Sequence, residues 1–224
     1  MKYYLLSKST DEKIIGRYPQ CKGLPSGMGL TYEWFEQPNS MTKLRNDDFP
    51  EFDPELIFEL EKKAILSDVV IPSNIIAKGF LVNEKVKDLF SQFKLMEHKY
   101  YPANLFFKGV EYQYYWLHFK DCEEKYLGNI DYQNSSFFVS NLALMKEKDI
   151  SIISRDDFWD KKMNLPMKHI RATKLKLSEG LLNEGLDLFY IPYVHSDFWV
   201  SNKLSKAIEV TEITGFEIRE QNIL

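Results

Sequence analysis

"GFLVNEKVKDLF", residues 79–90, decides how this chain is read, because "DFWVSNKLSKAI", residues 197–208, says it again in altered letters. Phe80 and Phe198, Val82 and Val200, Asn83 and Ser201, and Lys85 and Lys203 stand at one constant offset. In the first stretch Val86, Leu89, Phe90 and, just beyond it, Phe93 fall at i, i+3, i+4 and i+7, a single apolar helical stripe. Leu204, Ala207 and Ile208 repeat the start of that stripe. Asn83 and Ser201 immediately precede the two stripes, where a side-chain oxygen accepts from the free amides of the first turn. A short apolar piece, "FLV" or "FWV", comes before each cap, and an Ile-Pro pair, Ile71-Pro72 or Ile191-Pro192, comes before that. A β-like stretch, "HKYYPANLFF" or "TGFEIRE", follows each helix. The pattern predicts strand, turn, capped helix and strand written twice, near residues 68–107 and 186–220. Neither copy contains a catalytic residue, so the duplication is one of scaffold.

Outside the copies the sequence reads mostly as β-structure. "KYYLL" (2–6), "TYEWFE" (31–36), "EYQYYWLHF" (111–119), "SSFFVSN" (135–141), "ISIIS" (150–154) and "IRATKLKL" (170–177) are strand candidates. Lys108-Gly109 marks a hairpin turn into the third of these. Residues 16–30 are rich in Gly and Pro and form a long irregular loop. The segment 54–66 predicts a helix: Asp53 is placed as N-cap, Pro54 at the first helical position, and Ile57, Leu60 and Ala64 at helical spacing. "SRDDFWDKK" opens a helical turn or stays a loop. The fold class expected is α+β, one domain over 1–224 with mostly antiparallel sheet and a few helices.

Composition narrows the function. The chain has 224 residues, 44% hydrophobic and 28% charged, as a globular protein does. Its 13 Tyr, 16 Phe and 4 Trp are an excess of rings, which fill a wide core or supply an adhesive surface. A net charge of −4 argues against nucleic acid and for a basic partner. Two cysteines, Cys21 and Cys122, exclude a disulfide framework and a four-cysteine zinc site. Neither a signal peptide nor a membrane span is recognisable, which implies a cytoplasmic protein with no membrane partner.

No motif for chemistry emerges. His98, His118, His169 and His195 form no metal-ligand spacing, and His195-Ser196-Asp197 reads as a solvated loop. "KGLPSGMGL" (22–30) lacks the Lys-Ser/Thr of a phosphate-binding loop. Cys122 has acidic neighbours that disfavour a thiolate. The reading is of a protein with no catalytic residue, cofactor or metal, although paired carboxylates leave an enzyme of unknown class open. Two stretches suit binding. "NDDFPEFDPE" (46–55) interleaves Asp47, Asp48 and Glu51 with Phe49 and Phe52, as a docking patch for a basic surface or as a solvated loop. In the 111–119 strand, Tyr112, Tyr114 and Trp116 share one face and Tyr115 takes the other. One face belongs to a core, and Tyr114 and Trp116 are candidate contacts.

"KGFLVNEKVKDLF", "GNIDYQNSSFF" and "DLFYIPYVHSDFWVSNKLSKAIEVTEITGFEI" together resemble bacterial immunity protein family eleven, of polymorphic toxin systems. The resemblance falls on Phe80–Lys85, Asp131 with Ser135, Leu188–Ile191, Phe198–Leu204 and Thr214–Phe216, and spans about residues 66–219. Asn83 stands where that family usually has Ser, and either residue caps a helix. The resemblance implies a non-enzymatic cytoplasmic protein that binds and neutralises a cognate protein toxin. Alternatives are an enzyme acting through carboxylates and an adaptor for a different partner.

Overall fold

The computed structural model describes residues 2–220. In chain order its elements begin with β1 (Tyr3–Lys8), α1 (Glu12–Ile15), β2 (Ile57–Glu59), β3 (Val69–Val70), β4 (Gly79–Val82) and α2 (Glu84–Phe90). There follow β5 (His98–Phe107), β6 (Val110–Phe119), α3 (Glu123–Gly128), β7 (Ser136–Ser140), β8 (Lys146–Ile150) and α4 (Arg155–Met163). The last are β9 (His169–Lys174), α5 (Glu179–Asn183), β10 (Leu188–Phe189), β11 (Phe198–Ser201), α6 (Asn202–Val210) and β12 (Phe216–Arg219). This is an α+β fold with mostly antiparallel sheets. Among the described residues no helix is long and apolar enough to cross a membrane.

The residues group into two compact units. One holds Ser7–Asp121 with Lys206–Glu217, and the other holds the residues up to Leu6, Cys122–Ser205 and those from Ile218 on. Among the described residues the strands form three sheets: β2-β5-β6-β4-β3, β10-β11-β1-β12, and β8-β7-β9. Only β2 against β5 is parallel among the pairs with a defined register.

The duplication is structural, and it reaches further than the repeated phrase. Taken from the β3 end, the first sheet runs β3-β4-β6-β5, and the second runs β10-β11-β1-β12. Val82 pairs with Val69 on one side and Tyr115 on the other, while Val200 pairs with Leu188 and Tyr4. Trp116 and Leu117 oppose Leu81 and Phe80 just as Leu5 and Leu6 oppose Trp199 and Phe198. "YYWL" (114–117) and "YYLL" (3–6) are therefore the same strand of the repeat. The N-terminal strand β1 occupies in one sheet the place that β6 occupies in the other.

Side chains repeat as well. The Tyr114 hydroxyl donates to the Ser67 carbonyl at 2.7 Å, and that of Tyr3 donates to the Leu186 carbonyl at 2.9 Å. Each acceptor precedes an aspartate, Asp68 or Asp187, that organises the following helix start. The Asn83 amide donates to the Asp68 carbonyl at 3.0 Å and the Ser201 amide to that of Asp187 at 2.8 Å. Asn83 Nδ2 donates to the Asp68 carboxylate at 2.8 Å, and Ser201 Oγ donates to the Asp187 carboxylate at 2.6 Å. With the aspartate fixing its donor, each cap turns its oxygen to the helix: the Val86 amide donates to Asn83 Oδ1 at 3.2 Å and the Leu204 amide to Ser201 Oγ at 3.1 Å. Val86, Leu89 and Phe90 are buried in α2, and Leu204 and Ile208 in α6. The loops between the paired strands share a left-handed residue at corresponding places, Asn74 (φ 64°) and Tyr193 (φ 67°).

Three local expectations fail. Residues 54–66 are not a helix: Leu56, Phe58 and Leu60 are buried at a period of two, in and on either side of β2. The Asn104 amide donates to the Leu56 carbonyl and the Leu60 amide to that of Phe106, both at 2.9 Å, so a neighbouring strand outweighs the local capping signals. "TYEWFE" winds into a 3-10 helix, Tyr32–Glu36, with Trp34 alone buried. The strand expected at 150–154 lies earlier, at Lys146–Ile150, and "SRDDFWDKK" is helical (α4), capped by Ser154 Oγ accepting from the Asp157 amide at 3.1 Å. The 108–109 hairpin is as expected. Lys108 (φ 52°) and Gly109 (φ 80°) both take positive φ, as a two-residue turn matched to strand twist requires.

Candidate functional site: an acidic, aromatic face

Residues 31–55 lie in the 7–121 unit and are irregular, yet they are tied down. Trp34 is buried, and its Nε1 donates to the Glu55 carboxylate at 2.9 Å. The Glu55 amide donates to the Asn39 carbonyl at 2.8 Å, and Ser40 caps the single turn Met41–Lys43. Met41 and Leu44 are buried beneath it. Asn46 anchors the start of the acidic loop twice: its carbonyl accepts from the Asp121 amide and its side-chain oxygen from the Lys78 amide.

On that frame Asp47, Asp48 and Glu51 are exposed, while Phe49 and Phe52 are half-buried. Asp48 accepts from the Phe49 amide at 2.8 Å and from Lys120 at 2.9 Å. Those bonds, Lys120 first, hold its carboxyl below the usual range. The edge of Phe49 meets His118, with ring centroids 5.4 Å apart. His118 is fully buried and its Nε2 lies 2.7 Å from the Arg45 carbonyl oxygen. Tyr114 and Trp116, read from the sequence as contact candidates, are core residues: Tyr114 is 3% exposed and Trp116 0%. The strand face that carries them packs inward against Leu81, Tyr101 and Leu105, so neither reaches a partner. Of the seven candidate residues, the structure keeps the five of the loop on the surface and removes these two.

Other singled-out residues are structural. Ser135 Oγ donates to the Asp131 carbonyl at 2.7 Å and accepts from the Lys176 amide at 2.9 Å. The Asp131 side chain closes the same turn through Asn134. Asp197 pairs with Arg219, and its amide donates to His195 Nδ1 at 3.1 Å, which folds this segment on itself as a turn. Among the described residues no three His, Cys, Asp or Glu side chains are grouped to hold a metal ion.

Two features of this face were not read from the sequence. The first is the reach of its charge beyond the acidic 46–55 loop. Residues 31–55 carry Glu33, Glu36, Asp47, Asp48, Glu51, Asp53 and Glu55 against Lys43 and Arg45, a net −5 in a chain whose total is −4. The rest of the chain is nearly neutral. The second is a groove of about 450 Å³ lined by Gly23, Tyr32, Phe35, Glu36, Thr42, Asn74 and Ile76. Tyr32 and Ile76 are 76% and 72% exposed, unusual for large apolar side chains. The acid count was available in the sequence; the groove was not, because its rim comes from a segment read as a strand and from a turn some forty residues away.

His118 makes this face sensitive to acid. Burial lowers its pKa, so the folded state binds fewer protons than the unfolded chain. Stability from the neutral ring is present above the unfolded value of about 6.5 and is lost as pH falls through it. In denaturant titrations between pH 7.5 and 5.5, wild type should lose stability more steeply than His118→Gln. Equal slopes would show that His118 is not the responsible group.

No family model matches the chain, and no curated protein matches it in sequence.

Proposed function

We propose that this protein is a binding protein, not an enzyme, that neutralises a cognate bacterial toxin by engaging a basic surface of it through the 31–55 face. The observation that carries the reading is the concentration of a net −5 on one anchored segment that also presents the exposed ring of Tyr32 and the half-buried rings of Phe49 and Phe52. Such a face steers a cationic partner to the site and supplies contact area once it arrives. The family resemblance of the 79–90 and 197–208 phrases supplies the toxin, and the cytoplasm of the producing cell is where protection operates. Buried rings such as Trp116 support the scaffold, and Phe49 and Phe52 supply contact beside Asp47, Asp48 and Glu51.

Co-expression with the toxin encoded beside it should rescue growth, and the two proteins should co-purify. Protection at low toxin concentration calls for a dissociation constant of about 1 nM, or about −12 kcal/mol. The pair Asp47→Lys and Asp48→Lys should weaken the complex at an unchanged circular dichroism spectrum. Rescue without a detectable complex would identify an enzyme that reverses the toxin's damage and would overturn the reading.

A further inference from the structure

We infer that the groove between Tyr32 and Ile76 seats one large apolar side chain of a basic, extended segment of the partner. The inference rests on the partner-binding reading above, but it does not depend on the partner being a toxin.

The rim is built to stand out. Ile76 follows Asn74, whose left-handed backbone turns the β3–β4 loop outward. Tyr32 opens a 3-10 turn whose next aromatic residues, Trp34 and Phe35, pack against each other with centroids 5.0 Å apart. Trp34 is locked to Glu55, so the turn that presents Tyr32 is pre-organised. Tyr32 leans on Phe35 at 6.4 Å, which makes one wall of the groove aromatic. Gly23 contributes no side chain to the lining and so leaves it open. The volume lies at the small end of the range for ligand pockets, roughly 300–1,000 Å³, enough for one bulky side chain and part of its neighbour.

The polar groups of the groove select the charge of the occupant. The Thr42 hydroxyl is already committed to the Phe35 carbonyl at 3.1 Å. Glu36 is the one acidic residue of the lining, and no described cation forms an ion pair with it. Lys22, beside the lining residue Gly23 in sequence, is engaged by Glu59. Asp47, Glu51 and Asp53 elsewhere on the face likewise form no ion pair among the described residues. An unpaired Glu36 beside two exposed apolar jaws, on a segment of net −5, fits a lysine- or arginine-bearing segment with a leucine, phenylalanine or similar residue at its centre. An apolar anchor desolvated at the centre with cations at the rim is the usual energetic layout of a protein contact.

The test uses the full chain and labelled short peptides of lysine and arginine around one central leucine, read by fluorescence anisotropy. A second peptide has glycine for the leucine, and a third has glutamate for every cation. The leucine peptide should bind roughly tenfold tighter than the glycine peptide, a difference of about 1.4 kcal/mol. Tyr32→Ala or Ile76→Ala should erase that tenfold without shifting the melting temperature, since both side chains are exposed. Glu36→Lys should weaken both basic peptides, and the glutamate peptide should not bind. Equal affinity for the leucine and glycine peptides, or a tenfold preference that survives both alanine variants, would overturn the inference. Loss of growth rescue with peptide binding intact would instead overturn the toxin reading and leave the groove standing.

Discussion

Trp116→Ala should destabilise the protein by roughly 3–5 kcal/mol, as large aromatic truncations in packed cores do. Trp116 is fully buried on β6, between β4 and β5, and belongs to a cluster with Leu81, Tyr101, Leu105 and Phe58. Its ring fills the space beside Gly79, where an added Cβ would sit 2.7 Å from Cζ2, so Gly79 has no side chain to fill the void. Lys8 Nζ lies 5.6 Å from the same ring and has no carboxylate partner among the described residues. The deletion thus also removes the face that covers a cation. Against a total stability of about 5–15 kcal/mol the loss is severe. Trp116→Phe is the informative control. Among the described residues the indole Nε1 has no hydrogen-bond partner, so replacing it removes a desolvated donor along with part of the ring, and the net cost should stay below about 1.5 kcal/mol. Guanidinium titrations with a common slope would measure both. A cost under 1 kcal/mol for the alanine variant would mean that the core does not centre on β6.

Gly215→Ala should cost roughly 3 kcal/mol or more, from backbone conformation and steric overlap together. Gly215 has φ 92°, and a Cβ there would sit 2.1 Å from the Val69 carbonyl oxygen. The turn around it is pinned at several points. The Thr214 carbonyl accepts from the Val69 amide at 3.0 Å, and the Thr214 amide and hydroxyl each donate to the Asp68 carboxylate at 2.8 Å. The Gly215 carbonyl accepts from the Ser9 amide at 2.9 Å. Relieving the overlap means moving this turn away from Asp68, the same residue that orients the Asn83 cap. Gly185→Ala separates the two causes. Gly185 also has positive φ (63°) but open space around it, so only the backbone cost of about 1–2 kcal/mol should appear. Thermal melts of the two variants that shifted equally would show that the close approach at Val69 carries no weight.

The repeat was legible because it is written in the residues that packing constrains most: apolar strand cores, one cap, one stripe. Its fourth strand was not, although "YYWL" and "YYLL" are nearly the same word. One follows its copy of the phrase and the other stands at the opposite end of the chain, so no single window contains both relations. The helix expected at 54–66 failed for a different reason. Asp53, Pro54 and the spacing of Ile57, Leu60 and Ala64 are real helix signals, but the alternation of Leu56, Phe58 and Leu60 satisfies a strand equally well. Only the presence of β5 decides between them, and that is tertiary information. The same applies to the candidate site. Acidity at 46–55 is a property of letters, whereas the burial of Tyr114 and Trp116 depends on which face of β6 meets β4 and β5. Tyr32 and Ile76 escaped notice because each alone is an ordinary surface residue.

The placement of β1 has a consequence for the order in which the protein can be made. Tyr114 reaches its acceptor across 47 residues, and Tyr3 reaches the equivalent acceptor across 183. By loop-closure entropy the longer connection costs about 1.2 kcal/mol more, a modest thermodynamic difference. The kinetic difference is larger. The four strands of the first repeat leave the ribosome together by residue 119, and the 108–109 hairpin sets two of them in register locally. β1 is made before β11 and waits for it, on the order of ten seconds or more at ordinary rates of translation. During that interval Tyr3, Leu5 and Leu6, all buried in the finished fold, are an apolar stretch of nascent chain without the strand that covers it. Synthesis of this protein therefore has an aggregation-prone window that a version with β1 placed after β12 would not have.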